Sequence, residues 1–336
     1  MGASLVYLEK PNKDIIWDEN ESKDIKFVAA GMQGWRINME DEHIAKLDFN
    51  GNQALFGVFD GHGGREVACY TEKHYKDYLS NNPSYKSGNF ESALRESFLK
   101  VDEELEKEDG KKWLADLKRK NPPNKAPLFK LLGDINGAGA SANGEQSMES
   151  LQLDSIGCTA NVILIDKMQK IYAANAGDSR CVLGRGGKAF ALSVDHKPED
   201  EGELKRIEKA GSVVTEGRVD GNLNLSRSLG DLKYKTNKDL KPEEWPITAN
   251  PDVKIVDIQQ EDDFIIMGCD GIWETKTNEE MVEYIYDRLR NKKNPKDIVQ
   301  ELLHDIISPD YAQTGGVGCD NMTCILILFK QSALCK

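Results

Sequence analysis

Hydrophobic residues in this chain come in short runs, and several of the runs stop at an aspartate. Residues 55–59 (LFGVF) end at Asp60, residues 171–176 end at Gly177-Asp178, and residues 264–267 run into Gly268-Cys269-Asp270. A run over 322–329 has the reverse order and opens just after Asp320-Asn321. Runs this short, bounded by glycine and polar residues, read as buried strands. Asn50-Gly51-Asn52 separates a short strand at 43–47 from the run at 55–59. Asn-Gly between two apolar runs is a strong hairpin signal, so these strands are expected to be antiparallel neighbours. That places Glu40 and Asp41, before the first strand, near Asp60, after the second. Further hairpins are expected over 158–176, over 180–192, and around Asp220-Gly221-Asn222, with more strands at 27–30 and 253–258.

Other stretches carry the helical period. Phe90, Leu94, Phe98, Val101 and Leu105 recur at helical spacing. Helices are also expected over 65–78, 198–210 (stopped by Gly211), 279–290 and 295–307. Residues 1–26 are polar and mixed and read as an N-terminal arm lying on the body. Residues 108–155 lose the pattern: 111–125 is basic and contains Pro122-Pro123, and 133–144 is rich in Gly, Ala, Ser and Asn. That segment reads as a flexible insertion, with a short helix near 113–117. Residues 27–330 then form one domain. Many antiparallel strands with several amphipathic helices define an α+β fold, best satisfied by two sheets packed face to face with helices outside.

Composition narrows the partners. The chain has 336 residues, and 44 Lys+Arg against 57 Asp+Glu leave a net charge of −13. This balance argues against nucleic acid or an anionic membrane as the main partner. Seven cysteines, an odd count with no CxxC pair, fit reduced thiols in a cytoplasmic or nuclear protein. No stretch reaches the roughly 18 apolar residues of a membrane span, and there is no signal-peptide pattern. Gly2 follows Met1, but Val6 stands where a myristoylation signal wants Ser or Thr, so membrane attachment is not expected.

The strand-end aspartates are the candidate chemistry. One alone is a turn residue. In an antiparallel sheet, however, the end of one strand lies beside the start of its neighbour. Asp60, Asp178, Asp270 and Asp320, with Glu40 and Asp41, can therefore share one edge of the sandwich. Carboxylates converging there would repel one another unless cations sat between them. Oxygen ligands without a Cys/His cluster point to Mg²⁺ or Mn²⁺ rather than Zn²⁺. Two such ions bridged by a carboxylate activate water for phosphoryl transfer. Arg36 has the fork that grips a phosphate bidentately, and His62 can protonate a leaving oxygen.

With these residues in place, the chain resembles the metal-dependent Ser/Thr protein phosphatases of the type 2C family. The matching stretches are GMQGWRINMED (31–41), LFGVFDGHGG (55–64), GCTANVIL (157–164), AANAGDSR (173–180), LNLSRSLGD (223–231), IIMGCDGIWE (265–274) and GCDNMTCILI (318–327). They follow the family's order over most of 27–329. The resemblance implies an α-β-β-α sandwich with a two-metal centre between sheet edges, hydrolysing phosphoserine and phosphothreonine on phosphoprotein substrates as a monomer. It implies that Asp60 bridges both ions and Gly61 offers its carbonyl. Glu40 ligates one ion, and Asp270 and Asp320 the other. Arg36 holds the phosphoryl group and His62 is the general acid. Asp178, Asp270 and Glu274 match a weaker third metal site, with Glu274 standing where the family usually has Asp. Asp41 and Thr159 match supporting positions. A flap that shapes substrate access falls at about 195–228, and Ser226 to Asp231 braces it rather than touching metal.

Two other classes compete. A catalytically silent relative serving as a scaffold would lack part of the carboxylate set, yet Glu40, Asp60, Asp270 and Asp320 are all present. A two-metal nuclease would need a basic groove, against which the acidic balance speaks.

Overall fold

Every residue of the strands Gln53–Phe59 and Met322–Phe329 is buried, because each strand is covered on both faces. The computed structural model, which describes residues 7–121 and 152–335, shows how. Two antiparallel sheets lie face to face. The larger has the order Tyr7–Glu21, Ile25–Arg36, Met322–Phe329, Asp262–Gly268, Arg180–Arg185, Lys188–Ala191. The other has the order Asp252–Asp257, Lys170–Ala176, Ala160–Asp166, Gln53–Phe59, Glu42–Phe49. Alternation sorts side chains between two cores. Phe56, Val58, Ile163 and Ile165 face the space between the sheets, where Phe27 meets Phe56 edge-on at 5.6 Å. Leu55, Phe59, Val162 and Leu164 instead meet the helices Glu66–Asn81, Phe90–Glu106 and Glu108–Lys120. The helices Asn278–Arg290 and Pro295–Ile306 cover the outer face of the larger sheet. The layers are α-β-β-α, as expected.

The hairpin at Asn50-Gly51 forms with both residues at positive φ (48° and 87°). Its register sets Glu42 opposite Phe59, so Glu40 and Asp41 arrive beside Asp60. The register of Gly268 with Cys324 brings Asp270 to Asp320 in the same way.

Four expectations need correction. The described part of the supposed arm, Tyr7–Glu21, is the edge strand of the larger sheet, pairing with Ile25–Arg36. An edge strand shows much of its length to water, so a polar sequence suits it. Residues 108–120 are no flexible insertion: the short helix expected near 113–117 is present but runs over Glu108–Lys120 and buries Leu114 and Ala115. Its narrow apolar stripe among lysines hid the period. Residues 122–151, the rest of that segment, lie outside the described residues. The strand expected from 158 splits: Gly157–Cys158 joins Gly61–His62 and Leu229–Gly230 in a small third sheet, and Ala160–Asp166 belongs to the five-stranded one. Lastly, the hairpin at 213–225 turns first at Glu216-Gly217, pairing Val214–Thr215 with Arg218–Val219. The Asp220-Gly221 turn follows it, closed by a bridge from Val219 to Leu223.

Candidate metal centre

The strand ends converge on a cleft of about 320 Å³. Arg36, Glu40, Asp60, Gly61, His62, Thr159, Asp178, Asp270 and Asp320 all line it. Asp41 lies just behind, buried, with Oδ2 lacking any hydrogen-bond partner among the described residues.

The local chain explains the placement. Asn321 Oδ1 accepts from the Glu40 amide at 2.9 Å, while its Nδ2 donates to the carbonyls of Gln33 and Asn38. One amide thus fixes the Glu40 loop to the start of the last strand. Gly61 packs against the Glu40 backbone so closely that a Cβ would collide with the Glu40 carbonyl. Thr159 clamps Asp60: its amide donates to the Asp60 carbonyl at 2.8 Å, and its Oγ1 accepts from the Asp60 amide at 3.2 Å. Thr159 Oγ1 also meets Ser179 Oγ at 2.6 Å, which ties Asp60 to the turn carrying Asp178.

The electrostatics are those of crowded carboxylates. Burial, then repulsion from Asp41, Asp270, Asp320 and Asp178, pushes the Asp60 carboxyl well above its usual range. Burial and the neighbours Asp178, Asp320 and Glu274 do the same to Asp270. Asp41 is pushed up to about 7, mainly by burial. Glu40 and Glu274 are also raised, burial again leading. A cation between such groups reverses every one of these shifts.

Donor chemistry fits a hard divalent ion. Ligand atoms of Asp270, Glu274 and Asp320 lie within 4.8 Å of one another, as do those of Asp41, Asp60 and Cys269. The sequence reading did not place Cys269 here. Burial pushes its thiol well upward, it accepts from the Thr323 amide at 3.2 Å and donates to the Asn321 carbonyl at 3.4 Å. A neutral, occupied thiol leaves the oxygens as the ligands.

Of the trio expected at a third site, Asp178 and Asp270 line the same cleft and Asp178 is the strongest charged neighbour of Asp270. Glu274 joins Asp270 and Asp320, while its Oε2 accepts from the Gly318 amide at 3.0 Å. Asp178 is also paired with Lys197. Arg36 donates to Asp320 Oδ2 through Nη2 alone, and its buried Nε has no partner among the described residues. His62 Nε2 lies 2.7 Å from Asp231 Oδ2. Asp231 and Lys197, like Cys269, are residues that sequence reasoning missed. Asp231 stands in the stretch Ser226 to Asp231, for which the resemblance implies only bracing. That bracing exists too: Arg227 grips Glu203 of the helix Glu201–Lys209 with Nε and Nη2. Burial alone would raise the Glu203 carboxyl, but Arg227 and Arg206 bring it down to about 2.

Comparison with known proteins gives this site a family. The model of the family described as Protein phosphatase 2C matches residues 25–119 and 116–315. The chain belongs to the protein phosphatase 2C family. It is 43% identical over 329 residues to "Probable protein phosphatase 2C 3" of Paramecium tetraurelia, covering 97% of this chain and 99% of the relative. It is 38% identical over 338 residues to "Probable protein phosphatase 2C 21" of Arabidopsis thaliana, covering 97% and 92%. Among solved structures, a serine-threonine phosphatase 2C from Toxoplasma gondii superposes with a TM-score of 0.67 at 18% identity, over 94% of this chain and 99% of that one. The likeness of that structure bears on the fold. Membership of the protein phosphatase 2C family makes the chain a metal-dependent Ser/Thr protein phosphatase, with phosphoproteins as its substrates. Among the described residues no helix is long and apolar enough to cross a membrane.

Proposed function

We propose that this phosphatase works through two Mg²⁺ or Mn²⁺ ions bridged by Asp60. The observation that supports it is the pair of half-buried aspartates on the cleft wall, Asp60 and Asp270, each forced towards the protonated form chiefly by desolvation and then by surrounding carboxylates. Glu40 would hold one ion, Asp270 and Asp320 the other, with Gly61 adding its carbonyl; Asp178, Asp270 and Glu274 would hold a weaker third. When bound, the ions supply an activated water and neutralise charge on the phosphoryl group.

The chain's own residues do the rest. Arg36 turns its fork from Asp320 to the phosphoryl oxygens, a charge-assisted bidentate contact. His62, whose Nε2 is held by Asp231, offers its other ring nitrogen to the leaving serine or threonine oxygen. Thr159 holds Asp60 in place, and Asp41 stands beside Asp60 as a supporting carboxylate. Residues from about 195 to 228, including Asn224 and Leu225 on the cleft wall, form the flap that shapes substrate access. All seven cysteines are free thiols, which supports a reducing compartment, cytoplasm or nucleus, for a monomeric enzyme. The test is phosphate release from a phosphothreonine peptide, which should require Mg²⁺ or Mn²⁺ and stop in EDTA. Release that persists in EDTA refutes the proposal.

A further inference from the structure

Three consecutive residues, Asp195, His196 and Lys197, each pair with the turn that carries Asp178. Asp195 accepts from Arg180 Nε and Nη2 at 2.9 and 2.8 Å. The His196 amide donates to the Gly177 carbonyl at 3.1 Å, and His196 Nδ1 accepts from the Gly177 amide at 3.3 Å. Lys197 Nζ donates to Asp178 Oδ2 at 2.5 Å. His196 is buried, and its Nε2 meets Asp252 at 3.2 Å. The Lys197 amide is in turn bound to Asp200 Oδ2 at 2.9 Å. The backbone of Lys197 is therefore registered to that of Asp178 on both sides, and only its four-carbon stem is free to move.

The two partners differ in exposure. The Asp178 side chain is 3% exposed and that of Lys197 46%. The ammonium thus reaches a buried carboxylate from the solvent side, with Asp270 and Asp195 also acting on it. A carboxylate offered to a third divalent ion already has a cation attached to the same fold.

We propose that Lys197 is a tethered counter-ion of Asp178, which a third divalent cation must displace in order to bind. This rests on the reading of Asp178 and Asp270 as cation ligands. A tethered group acts at an effective concentration of the order of millimolar or above, so a hydrated ion competes with it only when abundant. The ammonium is a compact charge on a flexible stem and can swing aside. The third position is weak by construction, and it responds to the free divalent concentration while the bridged pair stays filled.

The experiment is a Mn²⁺ titration of the full chain, reading free Mn²⁺ by its electron paramagnetic resonance signal. Lys197→Met removes the charge and keeps the stem. It should tighten the weakest Mn²⁺ tenfold or more and leave the tighter ions within twofold of wild type. Lys197→Gln should do the same, and Lys197→Arg, which keeps the charge, should stay near wild type. Adding Asp178→Asn to Lys197→Met should abolish the gain. Affinities within twofold of wild type at every site in both neutral variants overturn the proposal. So does a gain that survives Asp178→Asn. A wild-type chain that binds no Mn²⁺ overturns the metal reading itself, and this inference with it.

Discussion

His62 Nε2 and Asp231 Oδ2 face each other at 2.7 Å, although 169 residues separate them. The Asp231 side chain is 2% exposed, and the same oxygen accepts from Ser228 Oγ at 2.6 Å. Gly157 makes room for the pair, since a Cβ there would land on both side chains. Burial alone would lower the His62 imidazole, but Asp231 outweighs it and the net shift is upward. Asp231 is thereby a positioning residue, fixing the ring and favouring its protonated form. His62→Gln should lower kcat on a phosphothreonine peptide by about 100-fold, and far less on an aryl phosphate, whose leaving group needs little acid help. Asp231→Asn should copy that selectivity, and the double variant should be no worse than the worse single. Equal losses on both substrates would remove His62 as the acid.

Arg36 poses a question of binding rather than of proton transfer. It is a pocket cation paired with Asp320, with one buried guanidinium nitrogen unused among the described residues. Loss of a bidentate charge-assisted contact costs about 2–3 kcal/mol. Arg36→Ala should therefore raise KM some tens of times. Arg36→Lys should recover only part of that, because an ammonium cannot reproduce the fork. Steady-state kinetics on one phosphopeptide decide it, and an unchanged KM in Arg36→Ala refutes the role.

The sheets and the carboxylate edge could be read from local patterns because both are local. Apolar runs end at aspartates, and Asn50-Gly51 joins the two strands that bring Glu40 to Asp60. What escaped is what depends on distant partners. Tyr7–Glu21 looked like an arm because an edge strand needs few apolar residues. His62–Asp231 and Lys197–Asp178 are pairings between segments far apart in the chain, with no period to announce them. Cys269 looked unrelated to the aspartates until the register set Gly268 opposite Cys324.

The helix Glu108–Lys120 is a structural test of the same point. Leu114 is buried against the neighbouring helices. Leu114→Ala should cost about 2–4 kcal/mol, seen as a lower midpoint in urea, with KM for a small phosphate ester unchanged. A cost below about 0.5 kcal/mol, usual for an exposed position, would return this segment to the status of a flexible insertion.

Asp60→Asn separates function from stability. Turnover should be lost, because the residue proposed to bridge both ions loses its charge. In EDTA, however, the same change removes one carboxylate from a crowded cluster of like charges, so the variant should melt higher than wild type. In saturating Mg²⁺ the order should reverse, since only the wild type gains from the ions. Calorimetry under both conditions checks this. An active variant sinks the assignment, and a lower melting point in EDTA shows that the carboxylates are not in net repulsion.

The same repulsion sets a pH dependence. In the unfolded chain an aspartate ionises near pH 4. In the fold Asp41 is held up to about 7, chiefly by burial, and Asp60 and Asp270 are raised well above their usual range. Across this window the native state binds more protons than the unfolded state, so metal-free stability falls as pH rises. His62, raised by Asp231, acts in the same direction. Glu203, brought down to about 2 by its arginines against the pull of burial, contributes stability that is already complete above about pH 5 and adds no slope there. In EDTA the melting temperature should therefore be lower at about pH 7.5 than at about pH 5.5. Mg²⁺ competes with protons for these oxygens, so its stabilising effect should grow over the same interval. Asp60→Asn should flatten the EDTA curve. A melting temperature that rises with pH in EDTA, or a Mg²⁺ effect independent of pH, would mean that cations do not occupy the place these carboxylates leave for them.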